Sequence, residues 1–168
     1  MQLRELMRRP RAPFLVVLAI SVALVAGGVL MAEFMRLAAC PLCIVQRMLY
    51  LLLALLALLG LPLARHPLRP VMLTTILAAA GTGFFVAGYQ VWIQRFAPDT
   101  SCSGRMTWWE ELVDWAGDEI PLLFKASGLC SDPAWKFLGL SIADWSLGFF
   151  TLLFCVAICG FLGKSRHA

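Results

Sequence analysis

Four long apolar stretches, about Phe14 to Ala32, Ile44 to Leu63, Val71 to Ile93 and Trp145 to Leu162, punctuate the chain. Each is close to the roughly 20 residues a helix needs to cross the hydrocarbon layer of a bilayer. Between them lie a short segment from Glu33 to Cys43, a tight turn from Ala64 to Pro70 with prolines at 67 and 70, and a long polar segment from Gln94 to Asp144. The two short connections force antiparallel neighbours. The pattern therefore predicts an all-α membrane protein, a four-transmembrane-helix up-down bundle with one long loop. With no internal repeat or linker, residues 1–168 are expected to form a single membrane domain.

Composition agrees with lipid as the main solvent: 61% of residues are hydrophobic and 14% charged, with a mean hydropathy of +0.82, outside the range of soluble domains. Basic residues near span ends set the expected orientation. Arg4, Arg8, Arg9 and Arg11 precede the first span, Arg65 and Arg69 lie in the second connection, and Lys164 and Arg166 follow the last span. Both termini are thus expected in the cytoplasm of a bacterial inner membrane, with the loops at about 33–43 and 94–144 facing the periplasm. The net charge of +4 reflects this topology and gives no nucleic-acid footprint. The first span is not expected to be a cleaved signal, because Glu33 and Arg36 interrupt the apolar run before Leu37-Ala38-Ala39-Cys40.

Six cysteines fall into three pairs on this topology. Cys40 and Cys43 form a Cys-x-x-Cys in the first outer loop, Cys102 and Cys130 lie in the second, and Cys155 and Cys159 sit within the fourth span. Six cysteines allow about 15 complete pairings, so connectivity stays open. In an oxidising compartment the four outer thiols stand where disulfides persist. The last pair, four residues apart at membrane depth, is expected to pack as small apolar groups. A zinc site is disfavoured, because Cys102 and Cys130 do not make a second tight pair, and no metal is expected. No alternating strand and helix pattern surrounds the motif, which excludes a thioredoxin-like domain.

The surroundings of Cys43 favour chemistry over a purely structural bridge. It falls at or just before the first turn of the second span, where free backbone N–H groups stabilise a thiolate. Arg47 follows four residues later on the same face. A cation in the first turn of a helix opposes the macrodipole, so Arg47 is an odd choice for stability alone, although a snorkelling arginine is the plain alternative. Together they suggest a thiolate and a permanent cation beside a pocket for a polar-headed, lipid-soluble oxidant.

In the long loop, Trp108, Leu112 and Trp115 recur at helical spacing while Glu110, Glu111 and Asp114 point largely elsewhere. This predicts a short helix lying in the membrane interface, or else one packed on the loop's own small core. Cys102 precedes it and Cys130 follows it. A bridge between them would close a loop whose opening presents Cys102 to a partner, with Gly104 and Gly128 either permitting the motion or serving as ordinary turn glycines.

Cys40-Pro-Leu-Cys-Ile-Val-Gln-Arg47, Ala126-Ser-Gly-Leu-Cys130, Trp135-Lys-Phe-Leu-Gly-Leu140 and Asp144-Trp-Ser-Leu-Gly148, taken in order, resemble the disulfide bond formation protein B (DsbB) family. The resemblance covers nearly the whole chain. It implies a thiol oxidoreductase that reoxidises a periplasmic DsbA-like protein and passes electrons to a membrane quinone, ubiquinone or menaquinone. Cys102 would form the mixed disulfide with that partner. Cys130 would then attack Cys40, leaving Cys43 as the thiolate facing the quinone, with Arg47 holding the quinone and stabilising charge on it. A quinone suits the thermodynamics: a DsbA-type disulfide sits near about −120 mV, against roughly −200 mV or lower for thiol pools, which would run the reaction backwards.

Two positions depart from the family pattern. Residue 46 is Gln where Glu is expected beside the arginine, and the end of the third span, Gln90-Val-Trp-Ile-Gln-Arg95, lacks a histidine. Both stay outside the expected catalytic set, and Arg95 is a further candidate cation near the pocket. Two alternatives remain: a vitamin K epoxide reductase-like enzyme, and a non-catalytic four-span scaffold braced by two disulfides.

Overall fold

The computed structural model describes residues 10–97, 108–133 and 135–163. Cys102, Gly104 and Met106 lie outside these residues, as do Arg4, Arg8, Arg9, Lys164 and Arg166. Four helices, α1 (Ala12–Met35), α2 (Pro41–Gly60), α3 (Arg69–Phe96) and α6 (Ile142–Leu162), are long and apolar enough to cross a membrane. The long connection carries α4 (Trp108–Glu119), the single turn α5 (Pro121–Phe124), and a hairpin of β1 (Lys136–Phe137) and β2 (Leu140–Ser141). The protein is an all-α membrane bundle in which α1 packs on α2, α2 on α3, α3 on α6, and α6 closes back onto α1.

Local sequence explains where the helices start and stop. Pro13, Pro41 and Pro70 each sit in a first turn, where the missing N–H costs nothing and the fixed φ suits the helix. Helix α1 ends as Arg36 enters the left-handed region at φ 50° and its N–H closes onto the Ala32 carbonyl. Helix α6 starts with a capping box in which the Ser141 hydroxyl accepts from the Asp144 N–H and the Asp144 carboxylate accepts from the Ser141 N–H. The hairpin before it turns at Leu138 and Gly139, both at positive φ, as a type I′ turn requires. Antiparallel pairing of Lys136 with Ser141 and Phe137 with Leu140 feeds the chain directly into this cap.

From its middle to the end bearing Arg65 and Arg69, the bundle is packed tightly on glycines. Phe14 of α1 lies against Gly60 of α2, Pro13 against Gly160 of α6, and Phe150 of α6 against Gly83 of α3, each so close that a Cβ on the glycine would collide. Small residues at such crossings let helices approach where lipid supplies no hydrophobic drive between them. Arg69 donates to the Gly160 carbonyl at 2.9 Å, placing a cation at the negative end of α6. Above this zone Tyr50 stacks on Phe150 at 4.2 Å and hydrogen-bonds the Ser146 hydroxyl at 2.9 Å.

Cys155 and Cys159 do not pack in the bundle: both lie on the exposed, outward face of α6. An all-apolar helix gives no signal of which face turns inward, and here Leu153, Val156, Ala157 and Gly160 take the inner positions. Arg95 is not a pocket cation either. Its guanidinium is held at 2.6 Å by Asp144, joining the C-terminal end of α3 to the N-terminal end of α6, where each charge suits its helix dipole.

Candidate functional site

Cys40 is the N-cap of α2, and its Sγ accepts the backbone N–H of Cys43 at 3.4 Å. This cap sets the dithiol geometry. Pro41 opens the helix, Cys43 occupies its first turn, and the two sulfurs stand 3.0 Å apart. Cys40 is buried and Cys43 half-buried.

Cys130 reaches this pair across 90 residues of chain because the segment before it is clamped onto the entry to α2. The Ser127 and Gly128 N–H groups both donate to the Ala39 carbonyl, at 2.9 and 3.0 Å. Gly128 approaches the Ala38 carbonyl so closely that any Cβ would collide with it. The Ala-Ser-Gly-Leu-Cys sequence is thus a docking segment, with glycine required by contact rather than for motion. Cys130 then lies buried with Cys40, Leu42 and Ile93, with Trp109 of α4 packed on the cluster.

The N-terminus of α2 presents its free donors to sulfur: Cys43 N–H to Cys40, and Leu42 N–H to Cys130. Sharing a hydrogen bond with Cys40 holds the Cys130 thiol below its usual range, and the Leu42 N–H adds to this against the cost of burial. The Cys40 thiol is pushed up, first by its hydrogen bond with Cys130, then by that with Cys43 and by burial. Cys40 is thus the protonated member of the cluster, and its Sγ donates to Cys43 Sγ at 3.0 Å.

Two glutamines complete the sulfur environment. Gln90 of α3 donates its side-chain amide to Cys40 Sγ and to Cys43 Sγ, each at 3.2 Å. Its oxygen accepts from Gln46 Nε2 at 2.6 Å, and both glutamines are buried. Neither was in the sequence-derived catalytic set. The available signal was an amide inside each of two membrane-length apolar stretches, which marks a functional position by its cost alone.

Beside the dithiol lies a cavity of about 450 Å³, mostly apolar, lined among others by Gly28, Cys43, Arg47, Tyr50, Gln90 and Phe149. Its size falls within the ~300–1,000 Å³ of small-molecule sites. Arg47 donates from Nη1 to the Leu123 carbonyl of α5 at 2.6 Å, and its other nitrogens face Gly28. Trp135, Phe137 and Trp145 form an aromatic run at the rim, with ring centroids 5.7 and 6.3 Å apart. Of the sequence-predicted residues, the fold brings Cys40, Cys43, Cys130 and Arg47 together, and Cys102 lies outside the described residues. Among the described residues no group of three or more His, Cys, Asp or Glu side chains is arranged to hold a metal.

A capped dithiol and a third buried cysteine at one end of a membrane four-helix bundle define a membrane thiol oxidoreductase. The family model described as "Disulfide bond formation protein DsbB" matches residues 10–160. The chain is 40% identical to "Disulfide bond formation protein B" of Dechloromonas aromatica, over 85% of this chain and 87% of that protein. It is 38% identical to the protein of that name from Acidovorax sp., over 89% and 85%, and 39% identical to "Disulfide bond formation protein B 1" of Pseudomonas fluorescens, over 83% and 82%. The chain belongs to the disulfide bond formation protein B family, and is a membrane protein of disulfide bond formation.

Proposed function

We propose that this protein oxidises a soluble DsbA-like dithiol protein on the periplasmic side of the inner membrane and delivers the electrons to a membrane quinone. The observation that carries the reading is the shared cavity, which Cys43 and Arg47 both line. Its apolar walls and rim aromatics suit a lipid-soluble ring, and Arg47 supplies a fixed cation for an oxygen that gains negative charge. Cys43, Arg47 and the cavity walls would hold a quinone there, which would supply a two-electron, two-proton acceptor.

The protein's own residues carry the thiol chemistry. A partner thiolate attacks a Cys102–Cys130 disulfide at Cys102, forming the mixed disulfide and releasing Cys130 as thiolate. Cys130, whose sulfur accepts the Leu42 N–H at the start of α2, attacks the Cys40–Cys43 disulfide at Cys40. The S–S bond breaks, a Cys40–Cys130 bond forms, and Cys43 leaves as thiolate at the start of α2. The partner's second thiolate releases Cys102, completing the partner's disulfide and freeing Cys102 to reclaim Cys130. Two electrons now reside on Cys40 and Cys43. Helix α4, with Trp108 and Trp115 exposed and Val113, Ala116 and Gly117 turned inward, supports an interfacial position for this loop.

The test is anaerobic turnover of purified protein with a reduced DsbA-like partner and a soluble ubiquinone or menaquinone analogue, alongside Cys43→Ser and Cys102→Ser variants. Quinone consumption matching partner oxidation, lost in both variants, is expected. Absence of turnover with either analogue, while both disulfides stay intact, would turn the assignment to a disulfide-braced scaffold.

A further inference from the structure

The pair Gln46 and Gln90 is a costly feature that packing does not explain. Two amides, 4% and 2% exposed, sit within membrane-length helices, where apolar side chains of the same length would fill the space without desolvation. Their hydrogen bonds have one sense. Gln46 donates to the Gln90 oxygen, so the Gln90 amide must turn its NH₂ away, and both of its protons meet sulfur.

We propose that Gln90 is a positioning residue that holds the Cys40/Cys43 pair through one shared, uncharged donor, and that Gln46 acts through it by locking the amide orientation. The chemical consequence lies in redox balance. Reducing the Cys40–Cys43 disulfide breaks one S–S bond and takes up two electrons and one proton, giving one thiol and one thiolate. A disulfide sulfur is a poor acceptor and a thiolate a strong one, so the Gln90 donors stabilise the reduced pair more than the oxidised pair. An amide has no titrating proton, so this contribution is not itself switched by pH.

The inference deepens the function proposed above, and its test needs neither quinone nor partner. Full-length protein carrying Cys102→Ser and Cys130→Ser, which isolates the Cys40/Cys43 pair, is equilibrated with dithiothreitol, the electron donor, and its cyclic disulfide. Methionine keeps the length of glutamine and removes its donors. Gln90→Met is expected to make reduction about tenfold less favourable, about 30 mV more negative for a two-electron couple. Gln46→Met leaves the donors but frees the amide, with a smaller loss of about threefold. The double variant is expected to match Gln90→Met alone, because Gln46 acts only through Gln90. Gln90→Met within twofold of the parent, or losses that add in the double variant, would overturn the proposal. A shift without quinone turnover would sink the quinone assignment and leave this one standing; turnover without a shift would do the reverse.

Discussion

The two halves of the bundle use glycine for opposite ends. Towards Arg65 and Arg69, Gly60, Gly83 and Gly160 are covered by Phe14, Phe150 and Pro13, leaving no room for a Cβ. Towards the cysteines, Gly27 has nothing within reach and Gly28 faces only the Arg47 guanidinium at 3.6 Å or more. One half is sealed by ring-on-glycine contacts. The other is left open and furnished with sulfur, amides and a cation. The Tyr50, Phe150 and Ser146 layer divides them. Stability is therefore concentrated in the sealed half, which allows the open half to hold a cavity and buried polar groups at a cost the rest of the fold offsets.

The sharpest break in this division is at Gly128, on the open half. Gly128→Val collides with the Ala38 carbonyl and lifts the docking segment, carrying Cys130 away from Cys40. A displacement of about 1 Å is worth about 100-fold in rate, so quench-flow trapping should show Cys130 attack on the Cys40–Cys43 disulfide slowed by that order. Unfolding of the bundle should be little changed, since the four long helices pack elsewhere.

Filling the cavity comes next. Gly28→Leu places a side chain between α1 and Arg47, and the KM for a quinone analogue is expected to rise about tenfold, the scale of a few misplaced methylenes. In the sealed half, Gly83→Ala drives a Cβ into the Phe150 ring, and overpacking of this kind costs about 1–3 kcal/mol. The corresponding Gly28→Ala meets the Arg47 guanidinium only at ordinary contact distance, 3.6 Å, and should stabilise α1 by about 0.5–1 kcal/mol. Equilibrium unfolding in detergent micelles reads both, and equal signs would erase the contrast between the halves.

The smallest effect is on titration. Cys130 owes its lowered range first to its hydrogen bond with Cys40. A depressed thiol pKa means the thiolate persists at pH values where an ordinary cysteine is protonated, and is lost only as pH falls through the lowered value. In reduced protein, alkylation of Cys130 should therefore persist below the usual thiol range, and in Cys40→Ala its pH midpoint should move upward. An unchanged midpoint would remove the electrostatic part of the comparison.

The sequence by itself determined the number of the long helices and their membrane-spanning cores, because crossing a bilayer is a matter of how many apolar residues run uninterrupted, while their ends reach up to a turn further, as in Ala12–Met35 and Arg69–Phe96. It also determined the local arrangement of the dithiol: Cys40, Pro41 and Cys43 are the cap, first residue and first turn of one helix, so the spacing of the two sulfurs is set within four consecutive residues. Only the tertiary structure decided which faces turn inward. In lipid an apolar residue gains little from facing another helix, so inward positions are chosen by close approach and by polar partners rather than by hydrophobic pattern. That is why Cys155 and Cys159 lie outside the bundle, why Asp144 rather than the cavity holds Arg95, and why Gln90 meets two sulfurs encoded 50 and 47 residues away. Docking of Ser127 and Gly128 onto the Ala39 carbonyl is likewise a backbone contact between distant segments. No side-chain pattern along the chain encodes it.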